Sequence, residues 1–572
     1  MTRLGLGLLA LMASLPFLLP FHTEPITAFW SEWWTGALGL GAAVLLLSAR
    51  GGRGLPLTVL LGIPAALLLT LLLQFVLGRL AFPQIGLLYA AYLIWAGVLL
   101  MLGRHLADTV GLTRLADVLA SALACGALLG AAIALAQWRG IATGVPWIFP
   151  QVGNWPYGNL GQTNHHAHYS WLGIASLFYL RGRGWLSRPL FWLALLPIAL
   201  GSVISGSRSV FVYPLVLFFC AAWMRRVGRE TAPLLWVDAL ILLPVVIALN
   251  SLGSWMPSST MGAAGTSSAR LYELVAGPSV RLALARTAWS VFLEHPWLGL
   301  GPGNYSWASF TAAAGRVGDE PFQVAEHAHN VILHGLAEFG APAMVVVIAL
   351  LLLWAGRFFS RPWTLAQFWC GTVLGIGAAH AMLEYPLWYA YFLGPVALLL
   401  GASDSGRAFL LSGRRVAIYL VLAGLAGASI LGSLRMDYSV MEAASSRPLA
   451  AHPDRERAWR ISMERLIVLQ RESLMSPWAL LAFAELAQPS RQQATERIIL
   501  CERVIRFTPA RSLLTRCAMK LTLGGRETDA EQLVRSVLRA FPTERTDTAA
   551  ELSKGAQAFP ELKPLWQLSL EK

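Results

Sequence analysis

Histidine is the side chain that exchanges a proton near neutral pH without a special environment. Arginine is the natural partner of phosphate oxygens, because its guanidinium fork is planar and always charged. Both types gather in one polar stretch of this 572-residue chain, residues 253–340, between two apolar runs. The stretch holds Arg270, Arg281, Arg286 and Arg316, and it ends in EHAHNVILHGLAEFGAP at 326–342, with His327, His329 and His334. Asn330 follows His329 directly, and Gly340 comes after nine further residues. Imidazole and guanidinium in a loop held against a membrane suggest chemistry on a phosphate-bearing lipid. The plainer reading is that the histidines cap a helix and the arginines are solvated.

The rest of the chain supplies the membrane. It is 56% apolar and 13% charged, with mean hydropathy +0.57, against about 25% charged for a soluble domain. A span needs about 20 mostly apolar residues. Thirteen candidates lie near 4–21, 34–48, 55–77, 84–103, 115–137, 165–180, 190–205, 209–224, 233–252, 341–358, 365–383, 388–402 and 416–434. The first lacks a small-residue cleavage site and reads as a retained span. With the N-terminus inside, cytoplasmic segments hold 16 arginines, and the short outer loops hold Arg79, Arg139 and Arg208. That bias fixes an N-in, C-out topology, with 253–340 and the tail outside. The net charge of +13 is therefore topological and does not argue for nucleic acid. The expected fold is an all-α polytopic membrane bundle over 1–435, with 253–340 as its large periplasmic loop and a periplasmic helical domain over 436–572.

Lysine is absent before residue 435, which marks that boundary. In the tail, Pro509 and Pro542 each end a helical pattern 33 residues apart, near the period of about 34 of tetratricopeptide-type repeats. Cys125, Cys220 and Cys370 sit in apolar runs and read as core residues. Cys501 and Cys517 could pair in an oxidising compartment, although spacing alone does not fix geometry. No cysteine has metal-ligand spacing.

Three more places map to the outer side. The first is GNLGQTNHH, where Gln162, Asn164 and His165 would lie at the membrane surface. The second is ISGSRSVF at 204–211, where Arg208 faces a cavity or snorkels to the interface. The third is AHAMLEYPLWYAYF at 379–392, with His380, Glu384, Tyr385, Tyr389 and Tyr391 around Pro386. Convergence of these places with the main loop on one side outweighs each signal alone.

GNLGQTNH, SGSR, the loop segment EHPWLGLGPGNY, HAHN…EFGAP and LEYPLWYAYF together resemble the bacterial protein O-oligosaccharyltransferases, the pilin-glycosylating (PglL-type) family of the O-antigen ligase and polymerase superfamily. The ligase loop pattern reads His329, Asn330, Gly340 and Ala343, and departs from the family at its last position. The resemblance covers roughly 150–400 and extends to the helical tail. It implies an undecaprenyl-pyrophosphate-linked oligosaccharide as donor and an exported protein such as pilin as acceptor. The reaction would occur at the periplasmic face of the inner membrane, with no cofactor or established metal. In that reading His329 is the general base on the acceptor hydroxyl. Arg208, Arg281 and more weakly Arg270 bind the pyrophosphate, while Gln162, Asn164 and His165 contact the donor. Asn330, Glu384, Tyr385 and Tyr389 support the site, and all of these segments are expected to meet at one outward-facing pocket. An O-antigen ligase acting on lipid A-core and an O-antigen polymerase are the rival readings within the superfamily; the absence of a repeated half argues against a transporter.

Overall fold

The computed structural model describes residues 1–48, 54–228, 235–255, 280–316, 322–411, 413–445, 454–486 and 489–571. Arg270 lies outside the described residues. In chain order the elements are α1 (Thr2–Met12), α2 (Phe29–Ser48), β1 (Leu55–Thr58), α3 (Gly62–Val76), α4 (Pro83–Thr109), α5 (Leu112–Trp138), α6 (Thr163–Gly182), α7 (Arg188–Ile204), α8 (Tyr213–Val227) and α9 (Leu235–Trp255). Next come α10 (Val280–Glu294), α11 (Tyr305–Ala314), α12 (Val331–Phe359), α13 (Leu365–Ala381), α14 (Ala390–Ser403), β2 (Ala408–Leu411) and α15 (Gly413–Ser445). The tail adds α16 (Arg455–Glu472), α17 (Ser476–Leu486), α18 (Ala494–Phe507), α19 (Arg511–Leu523), α20 (Glu527–Ala540), α21 (Arg545–Ala558) and α22 (Lys563–Leu570).

Each apolar run predicted from sequence contains helix. Among the described residues seven helices are long and apolar enough to cross a bilayer: Val59–Val76, Pro83–Thr109, Leu112–Trp138, Arg208–Val227, Leu235–Leu252, Val331–Phe359 and Leu420–Ala444. Thr2–Phe17, Arg188–Ile204 and Ala390–Ser403 are shorter apolar helices. As expected the described chain is helical, apart from one short pair of strands. β1 and β2 pair antiparallel, Leu55 opposite Leu411 and Thr58 opposite Ala408, so the run near 55–77 begins as a strand. Pro56 favours extended backbone before it. Thr58 ends the strand by accepting from Leu60 N at 3.2 Å and donating to Asp404 Oδ2 at 2.6 Å.

Two compact units divide the chain. The first comprises Met1–Ala66, Tyr92–Gly277 and Val346–Leu431. Its central element is α6, in which every residue from His165 to Leu180 is buried. The helix packs against α5, α7 and α13. Small residues bring α5 in close, since a Cβ on Gly173 would fall 2.1 Å from the Ala127 methyl. At the other end of α6, buried Asp238 holds Arg181 at 2.9 Å and Arg188 at 3.0 Å. A carboxylate out of water needs such compensation.

The second unit comprises Leu67–Ala91, Pro278–Val345 and Gly432–Lys572. One core joins Phe82, just before α4, and Phe310 of α11 to Leu480, Val504, Leu514 and Val537 of the tail. Ser306 Oγ donates to Phe507 O at 3.0 Å, and Phe310 stacks on Phe541 with centroids 6.3 Å apart. Cys501 and Cys517 are joined by a disulfide that links α18 to α19 inside this core. Cys220 and Cys370 are buried free thiols, as expected, whereas Cys125 is exposed on α5 and is no core residue.

Lys520 is buried on α19 at 2% exposure. Burial, then the Arg497 and Arg516 charges, pull its ammonium from the usual 10.5 down to about 8. Between those values the unfolded chain binds more protons than the folded one, so this group makes stability rise with pH across that window. Below it the buried charge costs about 3 kcal/mol. Lys520→Met is expected to raise the thermal midpoint of the full chain in detergent by a few degrees at pH 7. The gain should shrink as pH climbs from 8 towards 10; a gain constant across that range would show packing, not charge, as its source.

Candidate functional site

In the second unit the site is built on a broken helix. α12 departs from helical geometry at Gly340 (φ 75°, ψ 176°), and Pro342 has no N–H to offer. The open rungs are filled by the segment 296–301 crossing the break. Leu300 N donates to Ala337 O at 2.8 Å and Gly301 N to Glu338 O at 3.1 Å, while Ala341 N turns outward to Pro296 O at 2.8 Å. Gln74 Nε2 also donates to Glu338 O at 2.7 Å and to Leu298 O at 2.5 Å. The crossing leaves no room for a side chain. A Cβ on Gly340 would come within 2.5 Å of Trp297 O, and one on Gly299 (φ 69°) within 2.3 Å of Glu338 C. Thus the Gly340 of the sequence pattern is a crossing point, and Ala343 is buried.

One helix segment earlier, the histidines are held in order. Asn330 Oδ1 accepts from Ile332 N at 3.1 Å and Leu333 N at 3.0 Å, capping α12. His334 Nδ1 accepts from Ala328 N at 3.2 Å, so the hydrogen-bond network assigns its proton to Nε2. That nitrogen lies 3.4 Å from His327 Nδ1 and 3.3 Å from Glu338 Oε2. Glu338 Oε1 in turn accepts from Gly303 N at 2.9 Å. Tyr305 packs edge-on to His334 at 4.9 Å and donates to Leu284 O at 2.9 Å. Burial, then the neighbouring His334 and His329 rings, hold His327 well below the ordinary imidazole value. His329 stands between the two anchors, Ala328 and Asn330. It is half-buried, with φ 52°, a left-handed conformation that costs a non-glycine residue about 1–3 kcal/mol. Arg281 is in the first turn of α10, half-buried.

In the first unit, GNLGQTNHH folds around two amides. Gln137 Nε2 donates to Phe149 O and Gly158 O, and its Oε1 accepts from Tyr157 N and Gly158 N. Asn159 Nδ2 donates to Leu18 O and Trp147 O, and its Oδ1 accepts from Phe149 N. Gln162 caps α6 by accepting from His165 N at 2.7 Å. Asn164 Nδ2 donates to Glu384 Oε1 at 2.8 Å, and Glu384 is itself buried. His165 is buried within the unit, at 2% exposure. Its Nδ1 lies 3.2 Å from the Tyr391 hydroxyl, and Tyr389 meets it edge-on at 4.7 Å. Tyr385 and Tyr389 stack at 6.1 Å on the half-buried side of the cluster. Deeper in, His168 packs on His380 at 4.4 Å, and His380 Nδ1 lies 2.6 Å from the Tyr213 hydroxyl. Arg208 opens a 3-10 turn, Arg208–Phe211, beyond Gly206, and is half-buried.

Some of the expected residues lie together within each unit, while no described contact places Arg208 or Arg281 among them. Gln162, Asn164, His165, Glu384, Tyr385 and Tyr389 form one cluster, and His329 with Asn330 forms part of another. Sequence reasoning missed Glu338, Gln74, Gln137 and Asn159. It also missed Glu32, whose Oε2 accepts from Tyr92 Oη and from Ala390 N at 2.7 Å each, at the start of α14. The four-residue spacing of His334 and Glu338 was a usable signal, because such residues share a helix face. Among the described residues no group of three or more His, Cys, Asp or Glu is arranged to hold a metal ion.

A family described as O-antigen ligase matches residues 192–348, a range that takes in Arg208, Arg281, His329 and Gly340. A second, described as the C-terminal part of a virulence factor membrane-bound polymerase, matches residues 368–554, from His380 through most of the tail. The chain is also 26% identical over 480 residues to the General O-oligosaccharyltransferase of Acinetobacter baylyi, covering 82% of this chain and 81% of that protein. The chain is thus similar to a bacterial general O-oligosaccharyltransferase along most of its length, and to O-antigen ligases and membrane-bound polymerases over its middle and C-terminal parts.

Proposed function

We propose that the chain transfers an oligosaccharide en bloc from undecaprenyl pyrophosphate to Ser or Thr hydroxyls of exported proteins such as pilin, at the periplasmic face of the bacterial inner membrane. The observation that carries the reading is the backbone of His329, held left-handed between a ring clamp at Ala328 and a helix cap at Asn330. Strain kept at a polar side chain by its surroundings marks a functional position. His329 takes the proton of the acceptor hydroxyl. The hydroxyl oxygen bonds to the first sugar carbon, and the bond from that carbon to the pyrophosphate oxygen breaks. The departing diphosphate carries growing negative charge, which Arg281, Arg208 and Arg270 offset. Gln162, Asn164 and His165 serve the glycan, with Glu384 holding Asn164 and with Tyr385 and Tyr389 bordering it.

The arginine bias supports an outward-facing loop and tail. The Cys501–Cys517 bridge supports an oxidising compartment for the tail. The name of the Acinetobacter relative favours a protein acceptor. The O-antigen ligase match favours lipid A-core as the second reading. Thirteen spans, a domain boundary near 435 and a tetratricopeptide-like tail complete the proposal.

Reconstitution of the full chain with lipid-linked oligosaccharide, candidate protein acceptors and lipopolysaccharide, read by mass, separates the two acceptors. Loss of one acid–base group typically costs 10²–10⁴-fold, so His329→Ala is expected to abolish detectable transfer while membrane insertion persists; wild-type-like transfer would remove His329 from the chemistry. Arg281→Lys should fail as well if the contact is bidentate, and retained activity would indicate simple charge attraction. His334→Ala, which releases Ala328, should lower turnover at least tenfold with the KM for acceptor little changed. Unchanged turnover in that variant would show that the ring clamp does not position His329.

A further inference from the structure

Beside α11, helices α18 and α20 leave a groove of about 550 Å³. Its floor is aromatic: Trp307 is half-buried and Phe310 is buried, one turn apart on α11. Its rim is charged. Arg526 is already neutralised, donating to Glu502 at 2.7 Å and to Asp529 at 2.6 Å. Arg506 on α18 and Arg539 on α20 are exposed, and among the described residues neither forms an ion pair. Arg539 makes only a long contact of 3.4 Å to its own helix carbonyl at Arg535. A ligand for this groove needs an aromatic or large apolar side chain for the floor and carboxylates for the two guanidinium groups.

The other face of α11 points to what that ligand is. Tyr305 packs on the His334 ring, and Ser309 Oγ accepts from Ala325 N at 3.1 Å. Ala325 lies four residues before His329, which four extended residues put within about 14 Å along the chain. One short helix thus floors the groove on one side and braces the loop of the candidate base on the other. We propose that the groove docks an acidic segment of the acceptor protein that carries an aromatic side chain, next to the loop that acts on its hydroxyl. The proposal rests on the reading of this chain as a protein glycosyltransferase.

The test uses the full chain in detergent and a fluorescent twelve-residue Ser/Ala peptide carrying one Trp and three Asp. Two control peptides carry Lys in place of Asp, or Ser in place of Trp. Anisotropy is expected to show the acidic Trp peptide binding at least tenfold tighter than either control. The Arg506→Glu/Arg539→Glu double variant should lose that preference, the corresponding Gln variant should weaken it, and Arg460→Glu, at an exposed position of α16, should leave it intact. Equal binding of the three peptides, or a double variant that binds like the parent, overturns the proposal. So does displacement of the peptide by millimolar inorganic pyrophosphate or by phosphatidylglycerol vesicles, which would assign the guanidinium groups to phosphate. Glycan transfer is measured in parallel with lipid-linked donor. Peptide preference without transfer to any protein would sink the reading of the activity and leave the groove as a peptide site, whereas transfer without peptide preference sinks the groove alone.

Discussion

A helix interrupted in mid-course must find donors for the carbonyls that lose their rungs, or bear the cost of burying them unpaired. In α12 the interruption is at Gly340, and the donors come from residues 300 and 301 and from the Gln74 side chain. Much of the local order depends on this exchange. It fixes the segment 296–304 against the helix, it brings Gly303 N to the Glu338 carboxylate, and it sets Glu338 under His334. His334 then fixes Ala328, and with Asn330 as cap the residue between them has little conformational choice left. A histidine oriented this way has its ordering entropy met in advance by the fold.

The first unit solves a different problem. A helix that begins Thr163-Asn164-His165-His166-Ala167-His168 is poorly suited to lipid, yet all of it from His165 inward is buried. It is lined by tyrosines and further imidazoles, with Glu384 fastening its first turn through Asn164. The Gly-rich approach to it is held by Gln137 and Asn159, whose amides each use both donor and acceptor capacity on backbone. Such satisfied polar hubs specify one loop conformation where hydrophobic contact alone would leave many.

What could be read from sequence was what depends on local spacing. Hydropathy located the helices, Pro509 and Pro542 marked interruptions in the tail, and the interval from Asn330 to Gly340 matched a cap and a crossing. What escaped depends on partners far along the chain. β1 and β2 are separated by about 350 residues, and four apolar residues ahead of a helix gave no hint of a strand. Gln74 and Gln137 looked like passengers in apolar runs, because a lone amide reveals its role only when the carbonyls it serves are known. The His334–Glu338 pair was visible in spacing but looked like an ordinary helix face until the loop folded back on it. Nothing in GNLGQTNHH reports that α5, α7 and α13 enclose the helix that His165 helps to open.

That enclosure bears on how the protein is made. α13, one of the walls around α6, begins more than 180 residues after α6 ends. At about 5–20 residues per second, the ribosome needs roughly ten to forty seconds to supply it. During that interval the histidine-rich turn has its neighbours on the α5 and α7 sides but not on the α13 side. A segment this polar gains little by resting against acyl chains, so it must wait in a hydrated or chaperoned setting, and the packing of its interior closes late in biogenesis.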